Sequence, residues 1–424
     1  MAEIGVIHTT LGSTETTNSS SFAEVIESAD LVDGTTYHIV CHAITRGPDN
    51  ANVFDWRLYD RTNNEVITES LVKREMGQAN KPQSYYYVGR ITAGARGGGI
   101  AFEQKSDGVQ TLYTDFVSMM IFDLSVMNES DYFYAEDTTA AQHTTSLVDR
   151  ASVTNANPLA DDEYLVWTWG SFLVDSVNGS AEMVLNCTEP ASTGDEPLML
   201  FEGEDLTEQL GWMFCRHYTY GGSNSSITWK VQTRDDTIAS GRATQTDYAA
   251  STIFGLRLNA FENFFGNYTS SLLLTTTTGW TQLDTSGFKT DNDSDVVVSA
   301  AAMFDGTTTL KRSGARIQLD GTTSPNNVPN TKLSCNTNDA TDRLPLSYIT
   351  KYSATADSAT TIDLDCKKPS SVNIGWDQYT LAGFTTRLAI VPTTGNKNII
   401  PMLRYGRTKR IRGINHLDKI WQQL

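Results

Sequence analysis

Strand-like segments recur in the same order three times along this chain, and that recurrence constrains the fold more than any single motif. Six sets of anchors carry it: residues 21–25, 146–149 and 280–284; 37–40, 164–167 and 296–298; 57–60, 183–186 and 317–320; 85–88, 212–215 and 348–351; 100–103, 227–230 and 361–364; and a closing segment at 119–122, 253–256 and 388–391. Subtraction tests the alignment. Asp60 to Asn186 is a step of 126 and Phe102 to Trp229 a step of 127, while Asn186 to Asp320 and Trp229 to Asp363 are both 134. Steps this constant at separate anchors predict three tandem units.

Within each unit the segments are short, rich in Val, Ile, Thr, Tyr and Trp, and often alternate. Arg316-Ile317-Gln318-Leu319-Asp320 puts two apolar side chains on one face and three polar ones on the other, the pattern of a half-buried strand. Turn signals stand between segments: Asp33-Gly34, Asp107-Gly108, Asn178-Gly179, Asp305-Gly306 and Asp320-Gly321. Such pairs supply the positive φ of hairpin turns at little steric cost. Helical pattern is scarce: Leu206 and Leu210 at i, i+4 predict a short helix within 202–211, and another is expected over 71–76. The predicted fold is therefore all-β: three tandem antiparallel β-sandwiches, jelly-roll-like, at residues 1–135, 136–270 and 271–400, with a short basic tail at 401–424.

Composition narrows the function. Charged residues are 19% and aromatics 10% of 424, which excludes a wholly disordered chain. A formal charge of -18 makes the body a poor partner for nucleic acid. No apolar run approaches the ~18 residues of a membrane helix, and the first residues lack the order of a secretory signal. The five cysteines, at 41, 187, 215, 335 and 366, form no C-x-x-C pair and are expected as reduced, mostly buried thiols.

Motifs for chemistry are weak. His38 and His42 lie four apart in a strand-like segment, where a metal pair is less expected than surface or core-edge histidines. Gly94-Ala95-Arg96-Gly97-Gly98-Gly99 has no Gly-Lys-Ser/Thr after it and reads as a flexible hairpin loop rather than a phosphate cradle. Asp291-Asn292-Asp293-Ser294-Asp295 opens like a calcium loop but has Val296 and Ala302 where glycine and an acid are needed, so an acidic turn is expected. Tyr85-Tyr86-Tyr87, Trp56 and Trp167-Thr168-Trp169 are expected in sandwich cores; facing solvent, they would make sugar platforms. No catalytic, cofactor-binding or metal-binding residues are assigned, and the chain reads as a non-enzyme.

The C-terminus reverses the sign of the body. Arg404, Arg407, Lys409, Arg410 and Arg412 precede an amphipathic stretch with Leu417, Ile420, Trp421 and Leu424, which predicts a partner-docking tail.

The Thr-rich lead-ins Thr9-Thr10-Leu11-Gly12-Ser13-Thr14-Glu15-Thr16-Thr17 and Leu274-Thr275-Thr276-Thr277-Thr278-Gly279-Trp280, with Gly34-Thr35-Thr36-Tyr37-His38-Ile39-Val40, introduce sandwiches without a signal. In this style and in its repeat architecture the chain resembles the structural proteins of tailed bacteriophage particles. That resemblance implies synthesis in a bacterial cytoplasm and residence in the virion. It also implies a homo-oligomer attached to other virion proteins of capsid or tail, as a decoration or cement component, with no cofactor, nucleic acid or membrane partner. The alternatives are a tail-fibre-type adhesin that binds host-surface glycan and, third, a glycoside hydrolase.

Overall fold

Among the described residues of the computed structural model the chain is built of strands, with one 3-10 turn at Leu258–Ala260. Those residues are 4–47, 53–75, 83–139, 145–156, 158–174, 179–188, 196–202, 209–222, 226–234, 241–244, 250–269, 273–275, 280–290, 293–305, 314–319, 343–367 and 374–386. Residues 1–388 cluster as one compact unit; 389–424 form a second, outside the described residues.

The first set of strands is β1 (Gly5–Thr10), β2 (Glu15–Thr17), β3 (Ala23–Glu27), β4 (Thr36–Arg46), β5 (Val53–Asp60), β6 (Glu65–Glu75), β7 (Gln83–Thr92), β8 (Ile100–Lys105) and β9 (Leu112–Asp123). β1 and β2 both pair with β9, β9 with β4, and β4 with β7. The other sheet runs β3-β8-β5-β6, and every ladder is antiparallel. The chain changes sheet at each connection from β2 to β9 except the β5–β6 hairpin, which is the winding of a jelly roll.

The second set repeats it: β10 (Tyr132–Asp137), β11 (Val148–Ala156), β12 (Glu163–Val174), β13 (Gly179–Cys187), β14 (Glu196–Glu202), β15 (Gln209–Thr219), β16 (Ser226–Arg234), β17 (Gly241–Thr244) and β18 (Ser251–Arg257). Its sheets run β10-β18-β12-β15 and β11-β16-β13-β14, with β17 touching one strand of each. The third set is β19 (Phe264–Thr269), β20 (Leu273–Thr275), β21 (Trp280–Lys289), β22 (Ser294–Asp305), β23 (Gly314–Leu319), β24 (Arg343–Ala354), β25 (Ala359–Lys367) and β26 (Ile374–Thr386). β19 and β20 share β26, which pairs with β22 and that with β24, while β21-β25-β23 form the facing sheet. Three tandem jelly rolls result, as the recurrence predicts.

We call the sheets ending in β7, β15 and β24 the inner sheets, and their partners the outer sheets. Each sandwich closes over its own aromatic core. In the second, Phe133 stacks on Trp229 at 5.4 Å and Tyr218 meets the same ring edge-on at 4.8 Å. In the first, Tyr85 meets Phe102 at 5.1 Å; in the third, Phe265 meets Phe288 at 5.2 Å. The far faces of the outer sheets carry charge pairs: Arg57–Glu103, Lys230–Asp149 and Arg316–Asp365.

Several expectations need correction. The segment over 71–76 is no helix, because Leu71 to Glu75 complete β6; Leu210 likewise lies in β15, and 203–208 are outside the described residues. Two leucines four apart also share a strand face, so i, i+4 spacing alone does not separate the two periods. The closing strand of the third unit is β26, not 388–391, which lie outside the described residues. Asp33-Gly34 and Asp107-Gly108 have the positive φ expected (Gly34 73°, Gly108 87°), but they lie between β3 and β4 and between β8 and β9. They therefore arch between sheets instead of closing hairpins. The true hairpin turn, β5 to β6, is held by Asp60, whose carboxylate accepts from the Thr62 amide at 2.8 Å and the Thr62 hydroxyl at 2.6 Å; Asn64 takes its positive φ of 57°.

The glycine-rich loop is also an arch, and it is anchored. The Gly99 N–H donates to Glu27 Oε1, and the Gly98 and Gly99 carbonyls accept from the Leu31 and Arg61 amides.

Candidate functional site

An edge strand leaves a row of backbone groups without a partner, and a protein must cover that row or pair it. Each inner sheet ends in such an edge: β7, β15 and β24. The structure covers all three with the neighbouring jelly roll, in cyclic order. The Tyr86 carbonyl on β7 accepts from Trp169 Nε1–H of the second unit at 2.9 Å. The Met213 carbonyl on β15 accepts from the Ser347 hydroxyl of the third at 2.6 Å. The Ile349 carbonyl on β24 accepts from the Ser118 hydroxyl of the first at 2.7 Å. First to second, second to third, third to first: the contacts close on themselves, as a heterologous interface does when it forms a ring.

The recurrence reaches into this network. Among its carbonyl acceptors, Tyr86 to Met213 is a step of 127, the interval of the sequence repeat between the first two units, and Met213 to Ile349 a step of 136, close to the 134 between the second and third. Two further bonds cross the seams. Ser347 N–H donates to the Tyr86 hydroxyl at 3.1 Å, and Trp167 Nε1–H donates to Ser299 Oγ at 2.9 Å. Such buried donors are costly unless matched, so each bond fixes the relative setting of two jelly rolls.

Where the inner sheets meet, rings from all three units pack together. Phe122 of β9 lies 5.9 Å from Trp167, 5.6 Å from Phe254 and 6.5 Å from Phe384. Trp167 stacks on Phe254 at 5.3 Å, and Tyr87 meets Trp169 at 5.2 Å. The third unit offers a small residue to these rings: Ser299, which takes the Trp167 N–H, shares a sheet face with Ala301 and Ala382, all buried. At Gly266 the backbone of β19 comes so near the His217 ring of β15 that an added Cβ would sit 2.1 Å from it.

Charge at the seam margins follows a related plan. Arg90 of β7 lies over the Tyr134 ring of β10 at 4.5 Å, and Arg216 of β15 over Tyr268 of β19 at 4.3 Å. The first pair borders a cleft of about 710 Å³ that also touches His38, Glu129 and Asn155; the second borders one of about 380 Å³.

His38 and His42 are neither surface nor core-edge residues, since both are buried against other units. His38 stacks on Phe254 at 4.8 Å, while His42 stacks on Tyr86 at 5.1 Å and meets Tyr348 edge-on at 5.2 Å. Desolvation depresses both imidazoles to about 3, with the Arg90 charge adding to the effect at His38. His8 falls to about 4, first by desolvation and then by the Lys351 charge, with Asp295 opposing. His217, held by Glu163 at 2.7 Å, is lowered by desolvation against that carboxylate's pull. Cys41, Cys187, Cys215 and Cys366 are all buried, and burial pushes the Cys215 thiol up to about 12.

The other residues singled out from sequence fall as follows. Trp56, Tyr85, Tyr86, Tyr87, Trp167 and Trp169 are all buried, so none forms an exposed platform. Asp295 is committed to Lys351 at 2.6 Å and Ser353 at 2.8 Å, and Asp293 accepts from the Ala356 amide; Asp291 lies outside the described residues. Among the described residues no group of three or more His, Cys, Asp and Glu is placed to hold a metal ion, and no helix is long and apolar enough to cross a membrane. Arg404, Arg407, Lys409, Arg410, Arg412, Leu417, Ile420 and Trp421 lie outside the described residues. The seam residues Ser118, Ser299 and Ser347 are what sequence reading missed, and Trp169, expected in a sandwich core, serves a seam instead. Their signal was the loss of alternation in the strands that carry them.

No family model matches the chain, and no curated protein matches it. Among solved structures it is similar to one from Sulfolobus turreted icosahedral virus, at 10% identity over 89% of this chain and 84% of the other, with a TM-score of 0.20. A second, described as the triple jelly roll fold and turret assembly in an archaeal virus, shares 9% identity over 89% and 90%, with a TM-score of 0.19. A third, PNGF-II, shares 8% over 84% and 99%, with a TM-score of 0.26. Superposition this poor transfers no function, and the jelly-roll assignment rests on the strand ladders above.

Proposed function

We propose that this chain is a structural protein of a virus particle: a prefabricated building block that assembles with copies of itself and with other virion proteins. The observation that carries the reading is the closed cycle of three jelly rolls. Inner faces and inner edges are consumed inside one polypeptide, so the chain presents mainly its outer sheets and loops to partners. Such a block has its internal geometry set before assembly, and only contacts between blocks remain to form. Net negative charge keeps free copies apart until they dock.

The finer reading is a tailed-phage component attached to capsid or tail as decoration or cement, made in the bacterial cytoplasm and docked through the basic 401–424 segment. A non-enzymatic role fits the rings and carboxylates described: the aromatic groups are spent in cores and seams, and Asp295, Glu103 and Asp365 in ion pairs. The glycan-adhesin alternative needs aromatic rings open to solvent, and those it would use are buried. Deleting 406–424 is expected to leave the fold intact and to abolish incorporation into purified particles, read by particle mass spectrometry. Normal incorporation of the truncated chain would reject the tail as the docking element, and absence of the full-length chain from particles would reject the structural role itself.

A further inference from the structure

All four histidines among the described residues lie at seams between jelly rolls. His38 sits between the first and second, His217 between the second and third, and His8 and His42 between the third and first. We propose that the seams are acid-sensitive locks: protonation of the histidines buried in them separates the three jelly rolls while each sandwich remains folded. The device belongs to the chain itself and stands apart from the assembly role proposed above.

The surroundings of each ring decide what a proton does there. His38 faces Phe254 on β18, the Tyr132 and Tyr134 rings on β10, and the Arg90 guanidinium on β7. Both of its ring nitrogens are buried without a hydrogen-bond partner among the described residues, and the charge nearest it is positive. Arg90 is itself drawn outward by Glu136 at 3.4 Å.

His42 faces rings on three elements, Tyr86 of β7, Phe116 of β9 and Tyr348 of β24; its nitrogens too are unpartnered among the described residues. His8 meets the Ser118 hydroxyl at 3.1 Å, with Lys351 and Asp295 of the third unit opposing each other beside it. A second proton on His38 or His42 therefore places a charge out of water with no hydrogen-bond acceptor among the described residues, and on His8 it places one beside Lys351. His217 differs, because Glu163 at 2.7 Å receives the charge, so it contributes least.

The sign follows from linkage. A histidine that is neutral and depressed in the closed seam, and ordinary once exposed, favours closure fully above about pH 6.5. That preference is lost as pH falls toward the closed-state values near 3 to 4. Between pH 7.5 and 5.0 each such histidine shifts the opening equilibrium about thirtyfold, because at pH 5.0 the exposed ring is protonated about thirty to one while the enclosed ring is still mostly neutral. The Lys230 ammonium holds the Asp149 carboxyl below the usual carboxylate range, so that outer-sheet ion pair persists over the interval.

The test is hydrogen exchange by mass spectrometry on the full chain at pH 7.5 and 5.0, corrected for the intrinsic pH dependence of exchange. Amides of β7, β15 and β24 are expected to lose at least tenfold more protection than those of β8 and β16, with a red shift in tryptophan emission as Trp167 and Trp169 meet water. Equal protection changes in the two groups of strands would overturn the proposal. The double variant His38→Phe/His42→Phe keeps the ring packing and is expected to reduce the pH response about a thousandfold, the product of two thirtyfold terms. Should that variant fail to fold, His8→Gln is expected to reduce it about thirtyfold. A profile identical to the parent chain's in whichever variant folds would refute the role of these histidines.

Discussion

Strand β16 of an outer sheet and strands β4 and β18 of inner sheets are built on visibly different patterns. β16, in an outer sheet, alternates over its whole length: Ile227, Trp229, Val231 and Thr233 are buried, and the residues between them are half-exposed. β4, in an inner sheet, buries nine consecutive residues of eleven, and β18 six of seven. One face of β16 meets a core and the other meets water. Both faces of β4 meet protein, its own sandwich on one side and a neighbouring unit on the other. The difference teaches that alternation counts buried faces: a strand such as β4 loses it because a neighbouring unit covers its second face.

The sharpest way to break that comparison is at Trp169. Trp169→Ala removes a fully buried ring and leaves the Tyr86 carbonyl without its donor, an expected loss of about 3–5 kcal/mol in urea denaturation. Because the ring lies in a seam, the loss is expected to split one unfolding transition into two. Trp229→Ala, in a sandwich core, should cost a similar amount without uncoupling the other units. If both variants unfold with the same cooperativity, the distinction between seam and core is wrong.

A smaller effect is expected from Tyr86→Phe, which removes one oxygen and strands the buried Ser347 amide, at about 1–3 kcal/mol. The smallest belongs to the outer face. Lys230→Ala breaks an exposed ion pair with Asp149 and is expected to change stability by no more than about 0.5 kcal/mol. A loss at Lys230 equal to that at Tyr86 would mean that the outer face also carries a fixed partner.

Legibility from sequence followed the same divide. Anchors in strands such as β12, β13, β15 and β16 were found because β-branched and aromatic residues cluster there and recur at a constant interval. The helix expected over 71–76 was read from local spacing, and the pairing of Val72, Lys73, Arg74 and Glu75 with β5 overrode it. Strands β1, β10, β14 and β19, of six or seven residues, were passed over because short segments carry little periodicity. The aromatic clusters were correctly expected inside, but their division between sandwich and seam was not legible. Trp167 and Trp169 share one strand face with Leu165; the loss of alternation along β12 says that both faces are covered, but not which of them meets another jelly roll.

Sequence by itself determined that the chain is all-β, that one pattern occurs three times, and that its large rings lie inside, because all three follow from local periodicity and composition. Only the tertiary structure decided how the three copies close, with each inner edge capped by the next unit and the histidines enclosed between them. Which side chain reaches which carbonyl depends on the relative placement of strands more than a hundred residues apart, and no local pattern encodes that distance.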